Sequence, residues 1–522
     1  MFEINRNNIY EEKFPNNSFE ILELKTQKKI SLRKNKNYIK IQKIRGFNLE
    51  HSKVDLNSHI KPEQKFKINK FEQSFSQIFS YLNSNDIELV KYCIDELRAY
   101  FIYNNVNQNE QKIIIDNNFL NILLNIGQKF LLNNDLVHLS NLLWILINIQ
   151  IFEKGSNEYL QIMYTDQYFN FYNNCLISTK NDHIFNTIRW ILDSLYINND
   201  IENLNLKLLR SDVFISLLDY FKNQNKIEIE DKELTLKIIN YGVNINSLEE
   251  CLNEKDIKII NRCLTILIKE LYGTSNEVLL SQILKGIYQI STLNDNFGFN
   301  KRIINEGVTS RLLNFKFNSK EINNALLKMI IFILKILANN LVLPDEDCKL
   351  IYELNIIDYY NDILVKFDYY IQIVIDILYG LKNISLGKNR DIIKLSKIWE
   401  HKIFQKYCNL DDKIKKLYLY IIKFFTLDKD YEKLKFIYDT KILEYFIYLF
   451  RTSNISQKIC TKIIIIIDNY LSKFNIEYKK NNEYLIIYQQ FCDLFQSCEK
   501  INKLSNLGLI NAVAKNIQNN YN

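Results

Sequence analysis

The chain has 522 residues and a net charge of +7, with 3 prolines, 11 glycines and 47% hydrophobic residues. That length exceeds what one compact core usually organises, so several domains or a repeat array is expected. So few prolines and glycines cannot serve the many turns of a large β or α/β protein, and Ile, Leu and Phe clusters recur at helical spacing from about Phe75 onward. The expectation is an all-α protein.

Charge is concentrated in an N-terminal arm. Nine basic residues and no acidic one lie between Lys25 and Arg45, and without those nine the +7 falls to −2. A basic segment thus precedes a slightly acidic body, an asymmetry that points to a binding tail. Three readings compete: a solvated disordered tail, a nucleic-acid contact driven by counterion release, and a basic helix docking into an acidic partner. Ile30, Leu32, Ile39, Ile41 and Ile44 are interleaved with the charges, and no Pro or Gly interrupts Ile30 to Arg45. A purely electrostatic tail needs no such apolar residues, so the spacing favours the docking helix. Like-charge repulsion would leave it to order on binding.

Further along, two phrases 46 residues apart mark a repeat: Leu143-Trp144-Ile145-Leu146-Ile147-Asn148-Ile149 and Arg189-Trp190-Ile191-Leu192-Asp193-Ser194-Leu195. A third, Thr235-Leu236-Lys237-Ile238-Ile239-Asn240-Tyr241, loses the tryptophan and has an asparagine. A fourth, Leu378-Tyr379-Gly380-Leu381-Lys382-Asn383-Ile384-Ser385, keeps an aromatic and the asparagine. A period in the mid-forties is the signature of a right-handed helical solenoid of the armadillo/HEAT type. The expected organisation is an arm over residues 1–70, with its core at 25–47, and a solenoid of about ten repeats over residues 71–522. Residues i and i+4 share one helix face, so stacked repeats would present aromatic planes and carboxamides along one groove, suited to an extended chain. The alternative stays open at each position: a tryptophan in an apolar helix is ordinarily core, and an asparagine in so asparagine-rich a chain is ordinarily a surface residue. Trp399 lacks the pattern and reads as packing.

Nothing points to catalysis. The nine cysteines form no CxxC pair and mostly fall within helical patterns, which reads as small buried hydrophobes in a reducing compartment. The five histidines are scattered without metal-ligand spacing. Gly387-Lys388 has the G-K pair of a phosphate loop, but Lys382 and Asn389 stand where that motif needs Gly and Ser or Thr. No enzyme, cofactor or metal is expected. The N-terminus is polar, and the run Ile463 to Ile467 is far too short to span a bilayer, so no membrane partner is expected either.

The same residues carry a family likeness. Ile30-Ser31-Leu32-Arg33-Lys34-Asn35-Lys36, followed by Lys43-Ile44-Arg45, resembles the importin-beta-binding segment of the importin alpha family, roughly V-E-L-R-K-x-K and then K-R-R. Ile78 to Asp86 and Ile94 to Phe101 are similar to the opening of that family's first armadillo repeat. Trp144 to Asn148 and Trp190 to Ser194 fall where the family has W-A-L-T-N and W-A-L-G-N. Tyr379 to Asn389 resembles W-T-I-S-N-I-T-A-G-N, and the order of the pieces matches over most of the chain. Beyond about Thr426 the match is weakest.

The resemblance implies a nuclear-import adaptor shuttling between cytoplasm and nucleus. Its arm, through Lys28, Lys29, Arg33, Lys34, Lys36, Lys40, Lys43 and Arg45, would bind an importin-beta-type carrier. Its groove would hold the basic localisation signals of cargo, at a major site of Trp144, Asn148, Trp190, Ser194 and Asn240 and a minor site of Tyr379 and Asn383. The resemblance also leaves room for an export receptor. Tryptophans in the family stack on Lys and Arg stems, and asparagines hold the ligand backbone. Departures are visible: Ser194 replaces an asparagine, Leu236 replaces the third tryptophan, Phe152 stands where the family has a small glycine, Lys285 and Leu419 are not aromatic, and only Asp200 of Asn198-Asn199-Asp200 is acidic. Ile44 interrupts the K-R-R cluster, so autoinhibition by the arm would be weak. The alternative is an armadillo/HEAT interaction scaffold without import function. A nucleic-acid-binding solenoid is disfavoured by the slightly acidic body. Replacing Arg33, Lys34 and Lys36 by Glu is expected to abolish capture of an importin-beta-type carrier in a pull-down with residues 1–60, and capture that survives would overturn the arm assignment.

Overall fold

The computed structural model describes residues 67–68, 70–103, 108–150, 161–179, 181–195, 203–223, 228–245, 250–317, 323–386 and 412–427, with positions 463 and 466. The basic arm, Phe152, residues 198–200 and Trp399 lie outside the described residues. Every regular element among the described residues is a helix, and they fall into two compact units divided between Gly242 and Val243.

In the first unit, α1 (Phe71–Leu82), α2 (Ile87–Tyr103), α3 (Gln108–Asp116), α4 (Phe119–Leu132) and α5 (Leu136–Gln150) are followed by α6 (Asp166–Thr179), α7 (Asp182–Leu195), α8 (Leu204–Arg210), α9 (Asp212–Asn223) and α10 (Ile229–Gly242). Helices α2, α5, α7 and α10 stack side by side in one layer, and α4, α6 and α9 stack in a second layer against them. The second unit contains α11 (Glu254–Gly273), α12 (Glu277–Ser291), α13 (Phe299–Asn305), α14 (Val308–Leu313), α15 (Asn324–Asn340), α16 (Asp345–Glu353), α17 (Ile356–Phe367), α18 (Ile371–Leu386) and α19 (Asp412–Leu427). There α12, α15, α18 and α19 form the continuous layer. Each unit is a helical-repeat stack of the armadillo/HEAT type.

The repeat period is written into cross-helix hydrogen bonds. Asn141 Nδ2 donates to Asp95 Oδ1 (2.7 Å) 46 residues back, and Arg189 donates to Thr235 Oγ1 (3.0 Å) 46 residues ahead. Tyr168 Oη donates to the Leu120 carbonyl (2.7 Å) in the second layer, 48 residues away. In the second unit Asn339 donates to Ser291 Oγ (2.8 Å) and Asn383 to the Ala338 carbonyl (2.7 Å), at separations of 48 and 45. Asn323 caps α15 by accepting from the Leu326 amide (2.8 Å), and its amide donates to Glu277 at the start of α12 (2.8 Å). One side chain therefore starts a helix and sets its register against the previous one.

Asparagine takes over work that glycine usually does. Asn118, Asn134, Asn203 and Asn355 sit in the left-handed region at helix junctions, a conformation its short polar side chain tolerates. Asn253 forms a capping box with Asp256 at the start of α11.

Glycine is retained where space demands it. A Cβ at Gly380, in the middle of α18, would collide with Tyr360 Oη, and Tyr360 is fully buried on α17. Ala normally exceeds Gly in a helix interior by about 0.5–1 kcal/mol, but overpacking costs about 1–3 kcal/mol. Gly380→Ala is therefore expected to lower the urea midpoint of unfolding, and a raised midpoint would show that α17 yields.

Candidate peptide-binding faces

Helix α5 is buried along its whole length from His138 to Ile149, because α2 and α7 flank it. His138, Asn141 and Asn148 on it accordingly find partners within the protein. Asn141 receives the Arg98 guanidinium at its Oδ1 while bonding Asp95 through its amide. One turn earlier, His138 Nδ1 lies 2.8 Å from Asp135 Oδ1 and Nε2 lies 3.8 Å from Asp95, with Lys91 closing on Asp135 at 3.3 Å. Burial by itself lowers the His138 pKa, but the two carboxylates outweigh it and hold it above its ordinary value.

One helix further, Arg189 is only 1% exposed. Its guanidinium bridges to α10 through the Asp231 carboxylate (3.0 Å), the Asp231 carbonyl (2.9 Å) and Thr235 Oγ1 (3.0 Å). It also donates to Asn186 and lies 4.8 Å above the Phe185 ring.

The residues expected to form the major site do converge on successive stacked helices: Trp144 and Asn148 on α5, Trp190 on α7 and Asn240 on α10. They do not form an open ladder. Trp144 is 6% exposed, Asn240 is fully buried, and buried Asn148 donates to the Trp144 carbonyl of its own helix (2.7 Å). Leu236, in the third tryptophan's place, is core. The side chain of Ser194 lies outside the described residues. Trp190 alone of the described set is half-buried. The physical reason is the sandwiching of α5, which turns an i, i+4 pair into packing. Sequence reasoning missed Arg98 and Arg189. A signal existed: Arg98 stands 46 residues before Trp144, in the same register as Trp190.

The second unit carries a more open face. Two rows run across α12, α15 and α18 at intervals of 47 residues: Lys285, Phe332 and Tyr379 in one, and Tyr288, Lys335 and Lys382 in the other. All six are half-buried. On each helix the two rows are three residues apart, so they lie on one face, and each helix contributes one aromatic and one lysine. The Tyr288 and Phe332 ring centroids are 5.8 Å apart. Lys335 Nζ lies 5.2 Å above Tyr288. Lys382 Nζ lies 5.9 Å from the Tyr379 ring and 5.0 Å from Tyr420 of α19, and Lys413 Nζ reaches Tyr379 at 5.4 Å. These are cation–π distances.

Behind the rows sits Asp376, 3% exposed. Burial pushes its pKa up to about 6, against the opposing pull of Lys335, the Gln372 hydrogen bond and Lys413. Oδ1 accepts from Gln372 (2.9 Å) and Oδ2 has no hydrogen-bond partner among the described residues. Of the expected minor-site pair, Tyr379 belongs to this face with its ring already attended by two lysines, and Asn383 spends an amide hydrogen on Ala338.

Among the described residues, no group of His, Cys, Asp and Glu is placed to hold a metal ion, and no helix is long and apolar enough to cross a membrane. Of the described cysteines, Cys93, Cys175, Cys263 and Cys348 are buried and Cys251 is exposed.

No protein-family model matches the chain, and no curated protein matches it in sequence. Among solved structures it is similar to a designed armadillo repeat protein in complex with the peptide (KR)4, at 16% identity over 49% of this chain and 99% of that one, with a TM-score of 0.40. It is similar to a computationally designed armadillo repeat protein for modular peptide recognition, at 16% identity over 48% and 99%, with a TM-score of 0.40. An engineered protein is similar at 17% identity over 49% and 98%, with a TM-score of 0.38. At these scores the fold rests on the helix stacking itself.

The His138 cluster predicts a pH dependence. A histidine held above its ordinary 6.5 contributes stability that is complete below that value and is lost as pH rises through the higher folded value. The urea midpoint is therefore expected to fall as pH rises above about 6.5, and His138→Gln to flatten that fall. An unchanged slope in the variant would remove His138 as the cause.

Proposed function

We propose that this chain is a helical-repeat interaction scaffold that holds an extended segment of a partner protein across α12, α15, α18 and α19. The carrying observation is the pair of rows at 47-residue intervals, which repeats half-buried aromatic and lysine side chains on successive stacked helices. Stacked helices stand about 8–10 Å apart and an extended chain advances about 3.3 Å per residue. Each helix would therefore meet every third residue of the segment. The aromatic rings supply flat apolar contact at low entropic cost, and the lysines supply orientation. Such a face binds and aligns; it offers no nucleophile–base pair.

A nuclear-import adaptor, with a basic arm preceding repeats that begin at residue 71, is the second reading. It is supported by the half-buried Trp190, by Tyr379 and Asn383 on one face of α18, and by the basic stretch from Lys25 to Arg45. The burial of Trp144, Asn148 and Asn240 weighs against it.

Selection of peptides from a random displayed library on the full chain, followed by hydrogen-exchange footprinting, separates the two. The scaffold reading expects protection on α12, α15, α18 and α19, lost in Tyr379→Ala, and footprints confined to other helices would overturn it. The import reading expects a basic localisation peptide to bind and Trp190→Ala to weaken it about tenfold, the worth of one stacking contact.

A further inference from the structure

Lysine ammonium groups lie over tyrosine rings of the second unit. In a groove built for basic segments those faces would await the ligand's own Lys or Arg. Here Lys335 lies over Tyr288, and Lys382 and Lys413 lie over Tyr379. An incoming cation would have to displace them and would meet like charge at each step.

Lys335 and Lys382 share a second property. Neither makes an ion pair with any carboxylate among the described residues; each rests on a ring instead, and Lys335 acts on Asp376 only from beyond ion-pair distance. The nearby Asp376 carboxyl is 3% exposed and lies outside ion-pair distance of both. An ammonium on a ring face keeps N–H donors directed away from the ring. A carboxylate from outside would meet those donors in charge-assisted hydrogen bonds, while the ring supports the lysine stem from below.

We propose that the α12–α15–α18–α19 face selects acidic extended peptide segments, with Lys335 and Lys382 each pairing one carboxylate and Tyr288, Tyr379 and Tyr420 fixing the lysines in place. This rests on the scaffold reading and names its partner class. Lys335 and Lys382 occupy the same position on adjacent stacked helices, 47 residues apart. Helix spacing of about 8–10 Å against about 3.3 Å per extended residue then places the paired carboxylates about three residues apart in the segment. A peptide suits the charge density better than nucleic acid does. Lys335 and Lys382 are discrete charges one repeat apart, whereas a polynucleotide presents phosphate continuously and calls for a broad basic surface.

The test is fluorescence anisotropy with the full chain and four length-matched probes: a peptide with Glu at every third position, its Gln counterpart, its Lys counterpart, and a single-stranded oligonucleotide. The Glu peptide is expected to bind at least about tenfold tighter than the Lys peptide, and to weaken as salt screens the pairs. Lys335→Glu with Lys382→Glu is expected to abolish that preference. Lys335→Gln with Lys382→Gln reads the same loss without placing new charge on the face, so a folding defect in the reversal leaves the idea testable. Equal or tighter binding of the Lys peptide, an unchanged Glu affinity in the Gln variant, or tighter binding of the oligonucleotide would each overturn the acidic assignment while leaving the scaffold intact. Binding by none of the peptides would sink both.

Discussion

Everything in this protein follows from stacking each long helix on the helix one repeat earlier. The apolar side chains provide most of the attraction, since burial of Ile and Leu faces is worth roughly 25 cal/mol per Å². Apolar contact is tolerant of sliding, however, and the register is set by polar clamps. Asn141 to Asp95, Arg189 to Thr235, Asn323 to Glu277 and Asn383 to Ala338 each tie a helix to its predecessor or successor at a separation of 45–46 residues. A slip of one residue would leave several of these groups buried and unpaired, which is costly. The clamps therefore turn a greasy stack into one with fixed rows, and fixed rows are what a repetitive binding face requires.

The two units use that principle differently. In the first, the groups along the layer are consumed internally: Arg98 and Arg189 are buried or partly buried and satisfied by neighbouring helices, and α5 is enclosed from His138 to Ile149. In the second, the rows across α12, α15 and α18 stay half-buried, with one lysine and one aromatic on each helix. The difference is electrostatic as well as steric. A guanidinium buried beside Asp231 stiffens the stack, whereas the Lys335 and Lys382 ammonium groups, resting on rings with no ion-pair carboxylate among the described residues, keep capacity for a ligand.

Asparagine shapes the chain more than its abundance alone would indicate. It caps α11, α12 and α15, adopts positive φ at four junctions, and bridges repeats at Asn141, Asn323, Asn339 and Asn383. At these ends one residue type, with a donor and an acceptor on a short stem, stands in for the separate Gly, Ser and Asp signals from which helix ends are usually read, while Gly298 and Gly307 keep the positive φ before α13 and α14. That is why helix content was legible in this sequence while individual boundaries were not.

By itself the sequence determined the all-helical class and the mid-forties period, because hydrophobic spacing and self-similarity are local and additive properties of the chain. It also placed Trp144, Asn148, Trp190 and Asn240 in matching repeat positions, since equal spacing in a stack means equal register. What it left open was whether those positions face a groove or the core. An i, i+4 pair names a face, but neighbouring helices decide whether that face meets solvent: Trp144 and Asn148 on α5, flanked by α2 and α7, are buried, whereas Trp190 on α7, flanked by α5 and α10, stays half-buried. Likewise the rows Lys285, Phe332, Tyr379 and Tyr288, Lys335, Lys382 were present as letters 47 apart. Only the tertiary structure laid the lysines over the rings, because a cation–π contact depends on distances between side chains that are remote in sequence.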